Sequence, residues 1–336
     1  MKPNSAGSCQ DPLSLLHPYF IRRRHLDQMK YEVESLPARD LLRRFDLFSK
    51  LFYIRNRKEN PRLARRVYLE NIRTLVPLGV EWGKEDEKNS FKIFIEVFDS
   101  LIEHFSVNDF DASVSIVPVD GNYVAIDGAH RVATLAFYGK DVTVCRFDKP
   151  IYSLDYKLFL AKGESLYTAD LTALEAFNWL DDISVRCIWP DSDGGSDIDG
   201  DIFYVREFRI GNGTYGRLRR AIDFDAPVSS SRGKRVRVKF VFFRCHNGYC
   251  DKERAFRVAK TVLSDEGRSQ WYFSTSFAYG MALPFMRFFD WSMAECKYLK
   301  HYLGVCVGGG HSKFLSFLYK LASPLLVRDE TLQKKV

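Results

Sequence analysis

The sequence predicts an α+β chain, and three observations carry that reading. Apolar residues recur at helical spacing ahead of residue 106, and alternating β-branched residues broken by Gly- and Asn-containing turns fill 113–147. A β-rich stretch then gives way to helical patterning after residue 250. In chain order, residues 1–12 read as disordered and 13–85 as a helical N-terminal extension. Residues 86–183 read as a small mixed-sheet module, and 184–336 as a mixed α/β C-terminal region, β-rich first and helical later.

In the extension, Leu41, Leu42, Phe45, Phe48 and Phe52 fall on one helical stripe, with Arg43, Arg44, Arg55, Arg57 and Lys58 largely outside it. A second helix begins at Asn60-Pro61 and runs through Ile72, because proline at the first helical position sacrifices no hydrogen bond. Arg62, Arg65, Arg66 and Arg73 make it basic, which a solvated face explains better than a nucleic-acid surface. Residues 84–88 form a charged connector. Phe91, Phe94, Ile95, Phe98, Leu101, Ile102 and Phe105 follow as one apolar stripe, which predicts a helix over 90–105.

The module itself is predicted from its punctuation. Residues 114–119 read as a strand, Gly121-Asn122 as a tight hairpin turn, 123–126 as a second strand and 141–147 as a third. Between the last two, Asp127-Gly128-Ala129-His130-Arg131 opens a helix over 129–138 that carries Val132, Ala133, Leu135 and Ala136 toward a core and stops at Gly139. His130 and Arg131 thereby fall in the first helical turn, beside N–H groups that lack intrahelical partners. Gly128 lets a ligand approach the backbone, and the positive helix end, imidazole and guanidinium together suit a phosphate. Asp127 is placed to hold a metal ion or to take a proton from a hydroxyl.

This order of elements, with a Gly-x-His-Arg turn opening the helix, resembles the ParB/sulfiredoxin-like fold family, which includes partition proteins, sulfiredoxins and free-serine kinases. Asp127 makes the turn most similar to the Asp-Gly-x-His-Arg variant of the kinases, while Ala129 stands where sulfiredoxins carry their reactive cysteine. The resemblance implies a nucleotide-dependent phosphotransferase, a kinase-like enzyme acting on a hydroxyl of a small molecule. It implies that Gly128, Ala129, His130 and Arg131 bind the phosphates of ATP or another nucleoside triphosphate. Asp127 and His130 would be catalytic, with Asp127 also holding Mg2+. Kinases of this fold carry a catalytic carboxylate upstream of the first strand, for which Glu85, Glu87 and Glu103 are the candidates. A similarity to proteins of surface-polysaccharide biosynthesis points to a glycan precursor as acceptor. Two alternatives stand beside this reading: a nucleotide-gated, ParB-like protein contacting nucleic acid, and a degenerate non-catalytic scaffold. The first needs a helix-turn-helix after the module, where the sequence instead reads as strands and loops.

The rest of the chain bounds these expectations. With 336 residues, 46% of them hydrophobic, it is long enough for two cores. A net charge of +7 fits anionic partners without choosing among them. The first residues hold no apolar signal-peptide core, and the most apolar later stretch, 271–286, is too short to span a bilayer. A cytoplasmic protein with no transmembrane segment is therefore expected. Seven cysteines without paired spacing predict free thiols rather than disulfides, and Cys245-His246 with Cys250 makes at most half a zinc site. The acidic run 191–201 lacks calcium-loop spacing, Gly308-Gly309-Gly310 lacks P-loop spacing, and Arg217-Leu218-Arg219-Arg220 reads as a solvated loop.

Overall fold

The structure, a computed structural model, describes residues 11–77, 79, 89–151, 154–189, 198, 200–222, 235–246 and 250–264. The chain divides into two units, the first taking residues up to Arg65 and from 78 to Asp155, the second residues 66–77 and from Tyr156 onward. Each has its own three-stranded sheet, which makes the chain α+β.

In the first unit, two short 3-10 turns flank helix α1 (Pro18–Arg24), and strand β1 (Tyr31–Pro37) follows. Helix α2 (Phe45–Asn56) and helix α3 (Pro61–Leu75) come next, and the boundary between units falls inside α3. Helix α4 (Phe91–Val107), strand β2 (Val117–Val119), helix α5 (Ala129–Phe137) and strand β3 (Asp141–Phe147) complete it. The sheet runs β1-β3-β2, with β1 antiparallel and β2 parallel to β3. Along β3, Cys145 and Phe147 join Leu16, Leu26, Ile116 and Ile126 in a buried cluster that the N-terminal turns cover. Phe94, Phe98, Ile102 and Phe105 bury the predicted stripe of α4, and Ser90 caps that helix by accepting from the Ile93 N–H. α5 packs against α2 and α4.

The extension departs from its helical prediction at β1. Tyr31-Glu32-Val33-Glu34-Ser35 alternates at period two, and pairing with β3 turns Glu32 and Glu34 to Arg146, whose Nε lies 3.0 Å from Glu34 Oε1. The predicted strand 114–119 shortens to 117–119, with Val114 70% exposed. The predicted strand 123–126 reduces to one bridge between Val119 and Ala125.

In the second unit, helices α6 (Tyr156–Ala161) and α7 (Leu166–Ala176) precede strand β4 (Ile183–Ile188). Strand β5 (Gly200–Gly211), helix α8 (Asn212–Ile222), strand β6 (Arg235–Cys245) and helix α9 (Lys252–Leu263) follow. The sheet order is β4-β6-β5, antiparallel throughout, with a bulge between Ile202 and Tyr204. Ser165 begins α7 by accepting from the Thr168 N–H. The basic stretch Arg217-Leu218-Arg219-Arg220 is helical rather than a loop, because Tyr215 and Leu218 bury one face of α8. Cys245 and Cys250 form a disulfide with Cα atoms 6.3 Å apart, correcting the expectation of free thiols for this pair, while Cys145 and Cys187 are free. Most of the run 191–201, the connector 84–88 and everything after 264 lie outside the described residues, as do 1–10 of the segment 1–12 expected to be disordered; its described end is ordered, with Asp11 capping the 3-10 turn Pro12–Leu15. Among the described residues no helix is long and apolar enough to cross a membrane.

Candidate functional site

The Asp-Gly-Ala-His-Arg turn is held by a loop that is itself fastened from inside. After β2, Asp120 is fully buried, and its Oδ1 accepts from the N–H groups of Asn122 at 2.9 Å and Val124 at 3.0 Å while Oδ2 accepts from Ile151 at 2.9 Å. Three backbone donors on one carboxylate fix the hairpin and the strand exit at Ile151 together. Tyr123, rather than a glycine, takes the left-handed position of this turn, with φ +59°, and its N–H donates to the Asp120 carbonyl at 2.9 Å. Gly121 is closely packed for a different reason: a Cβ there would stand 3.3 Å from the backbone of Asp148 and Lys149, which would have to give by a few tenths of an ångström.

The returning limb is anchored from α2. Arg44 Nη1 donates to the Ala125 carbonyl at 2.7 Å, while its Nε and Nη2 donate to the two oxygens of Asp46 at 2.8 Å each. Lys50 Nζ donates to Asp46 Oδ2 at 2.7 Å, and all three side chains are buried. Burial raises the Asp46 carboxyl, but the Arg44 and Lys50 charges and hydrogen bonds outweigh it and hold that group well below the usual carboxylate range. Arg44, expected outside the apolar stripe, is thus an interior residue, because its guanidinium finds a carboxylate two residues on.

Two residues beyond Ala125 the candidate site begins. Gly128 lies at φ +78° and ψ +20°, and α5 starts from it with no side-chain cap. A Cβ at 128 would meet Arg131 Nη2 at 3.0 Å and Nε at 3.2 Å, so the guanidinium folds back across the turn. Arg131 Nη2 stands 3.9 Å from Asp127 Oδ2, and Arg131 Nη1 donates to Ser115 Oγ and, at 3.5 Å, to the Ile116 carbonyl. Burial pulls the guanidinium below its ordinary value, and the Asp127 charge works the other way. The His130 ring meets Phe98 of α4 edge-on, with centroids 4.7 Å apart.

Of the sequence-predicted residues, Asp127, Gly128 and Arg131 are brought together and Ala129 opens the helix beside them, while the His130 ring is turned to Phe98. Glu85 and Glu87 lie outside the described residues. Glu103 lies on α4 and lines a cleft of about 350 Å³ together with Tyr53, Arg57, Arg65 and Tyr138, away from the Asp127 turn. Sequence reasoning missed Asp120, Ser115 and the Arg44–Asp46–Lys50 network. Only Asp120 left a signal, as an acid at the first position of an Asp-Gly-Asn turn. Among the described residues no group of three His, Cys, Asp or Glu side chains could hold a metal ion. No family model, no curated protein and no solved structure matches this chain.

Proposed function

We propose that the first unit is a nucleotide-dependent phosphotransferase module of ParB/sulfiredoxin-like character, with the phosphates bound at the Asp127-Gly128-Ala129-His130-Arg131 turn. The observation that carries this reading is the left-handed Gly128, which has no side chain of its own to cap the helix it opens, with the Arg131 guanidinium folded over it. A phosphate at this turn would accept from the first N–H groups of α5 and from Arg131, which would trade its Ser115 contact for the ligand. The His130 imidazole would have to rotate off Phe98 to join them.

Mg2+ in such sites needs only one or two carboxylates besides the substrate phosphates and water, so Asp127 fits it without a larger protein cluster; the ion would neutralise charge on the transferred group. Asp127 is also the group placed to take the proton of an acceptor hydroxyl, and positioning supplies most of the remaining catalysis. The acceptor is a small molecule or a glycan precursor. A second reading, a non-catalytic scaffold, is favoured by the partners that His130 and Arg131 already have.

Thermal unfolding with ATP, ADP, CTP and GTP, each with Mg2+, separates the two. A nucleotide at 100 times its dissociation constant stabilises its binder by about 2.7 kcal/mol. A rise in Tm with a triphosphate supports the phosphotransferase, and no rise with any of the four leaves the scaffold.

A further inference from the structure

We propose that the cleft between α2, α3 and α4 is a binding site for a small phosphorylated polyol or sugar, with Lys58 and Arg65 taking the phosphate and Glu103 a hydroxyl. The cleft lies within the first unit and is built from local geometry. The last turn of α2 supplies Tyr53 and its C-cap Arg57, the connection supplies Lys58, and Pro61 and Arg65 stand one helical turn apart at the start of α3. Asp99, Glu103 and Ser106 follow at helical spacing on α4, and Tyr138 stands at the end of α5.

The lining charges do not cancel where a ligand would enter. Asp99 accepts from Arg57 Nη1 at 2.9 Å and from the Tyr53 hydroxyl at 3.0 Å, so that acid and that guanidinium neutralise each other. Lys58 and Arg65 are exposed, and among the described residues neither makes a hydrogen bond or an ion pair. Two cations thus remain against Glu103 alone, at the positive end of the fifteen-residue helix α3. Burial, with Asp99 adding to it, pushes the Tyr53 phenol up to about 12, so its hydroxyl stays neutral beside an incoming anion.

Size and charge select the ligand class. About 350 Å³ is at the small end of small-molecule sites, which suits one compact metabolite. A phosphomonoester carries roughly −1.5 to −2 charges at neutral pH, matching two cations, whereas a monocarboxylate matches only one. A metal ion meets three cations in this lining. Glu103 would repel a second acidic group but accepts from hydroxyls, so the organic part is a polyol or sugar. This inference does not rest on nucleotide binding at Gly128.

Isothermal titration of the full chain with ribose 5-phosphate, inorganic phosphate and ribose tests it. Ribose 5-phosphate is expected to bind more tightly than phosphate, and ribose to give no heat. Lys58→Gln and Arg65→Gln are each expected to weaken ribose 5-phosphate roughly tenfold with Tm unchanged, since charge-assisted contacts are of that size. Arg131→Ala is expected to leave this binding intact, whereas it is the variant that tests the nucleotide site. No heat with either phosphate compound, equal binding of ribose and ribose 5-phosphate, or full affinity in the Lys58→Gln/Arg65→Gln double variant would overturn the assignment.

Discussion

Replacing Asp46 with asparagine removes a buried negative charge that two buried cations share. The carboxylate accepts three side-chain hydrogen bonds, at 2.8 Å from each of two Arg44 nitrogens and at 2.7 Å from Lys50. Asparagine keeps the volume and one acceptor oxygen, but it loses the charge and turns an amino group toward donors in place of the second oxygen. Breaking a buried pair from one side costs about 3–5 kcal/mol, because the abandoned charge stays desolvated. Against a typical total of about 5–15 kcal/mol, that is a large share of a domain's stability. Urea unfolding at neutral pH, followed by circular dichroism, should show this loss in the transition that includes the first unit. The folded Asp46 is more acidic than the unfolded one, so its contribution is complete above the unfolded carboxyl value and is lost as pH falls through the folded value. The gap between wild type and Asp46→Asn should therefore be constant near neutrality and close progressively below about pH 4. A neutral-pH loss under about 1 kcal/mol would refute the view that this network fastens the limb carrying Ala125.

Other perturbations test the same construction at single points. Gly128→Ala should cost about 1–2 kcal/mol for its left-handed backbone and displace the Arg131 guanidinium, which paired measurements of Tm and ATP affinity would register. Asp120→Ala strands three backbone N–H groups and should lower stability by about 3 kcal/mol or more, with Asp120→Asn intermediate, read by urea unfolding. Cys245→Ser should destabilise the second unit by about 2 kcal/mol, the chain-entropy value for so short a loop, and alkylation before and after reduction should report the pair directly.

The parts of this fold that were legible in the sequence are those that local periodicity decides. The stripe ending at Phe105 and the spacing from Val132 to Ala136 gave α4 and α5 within two residues, because burial of one helical face needs no knowledge of the partner. The strand 31–37 was not legible among helical neighbours, since its stability comes from pairing with β3 more than a hundred residues away. The same holds for the site. Gly128 was readable from the Asp-Gly turn chemistry, and its left-handed φ follows from that. The Arg44–Asp46 pair is local in sequence, but its burial against the Ala125 limb and the turn of His130 onto Phe98 depend on which groups tertiary packing brings near. The pairing of Cys245 with Cys250 was hidden for the same reason, because it depends on how near the fold brings the two residues.

The central claim, phosphate binding at the Gly128 turn, is tested most directly by titrating ATP with Mg2+ into wild type and Arg131→Ala, with Lys58→Gln/Arg65→Gln as the control for the cleft. Losing a bidentate, charge-assisted contact costs about 1.5–3 kcal/mol, so Arg131→Ala should weaken ATP roughly ten- to a hundredfold while the cleft variant binds it as wild type does. Unchanged ATP affinity in Arg131→Ala would contradict the claim and leave the turn as the structural start of α5.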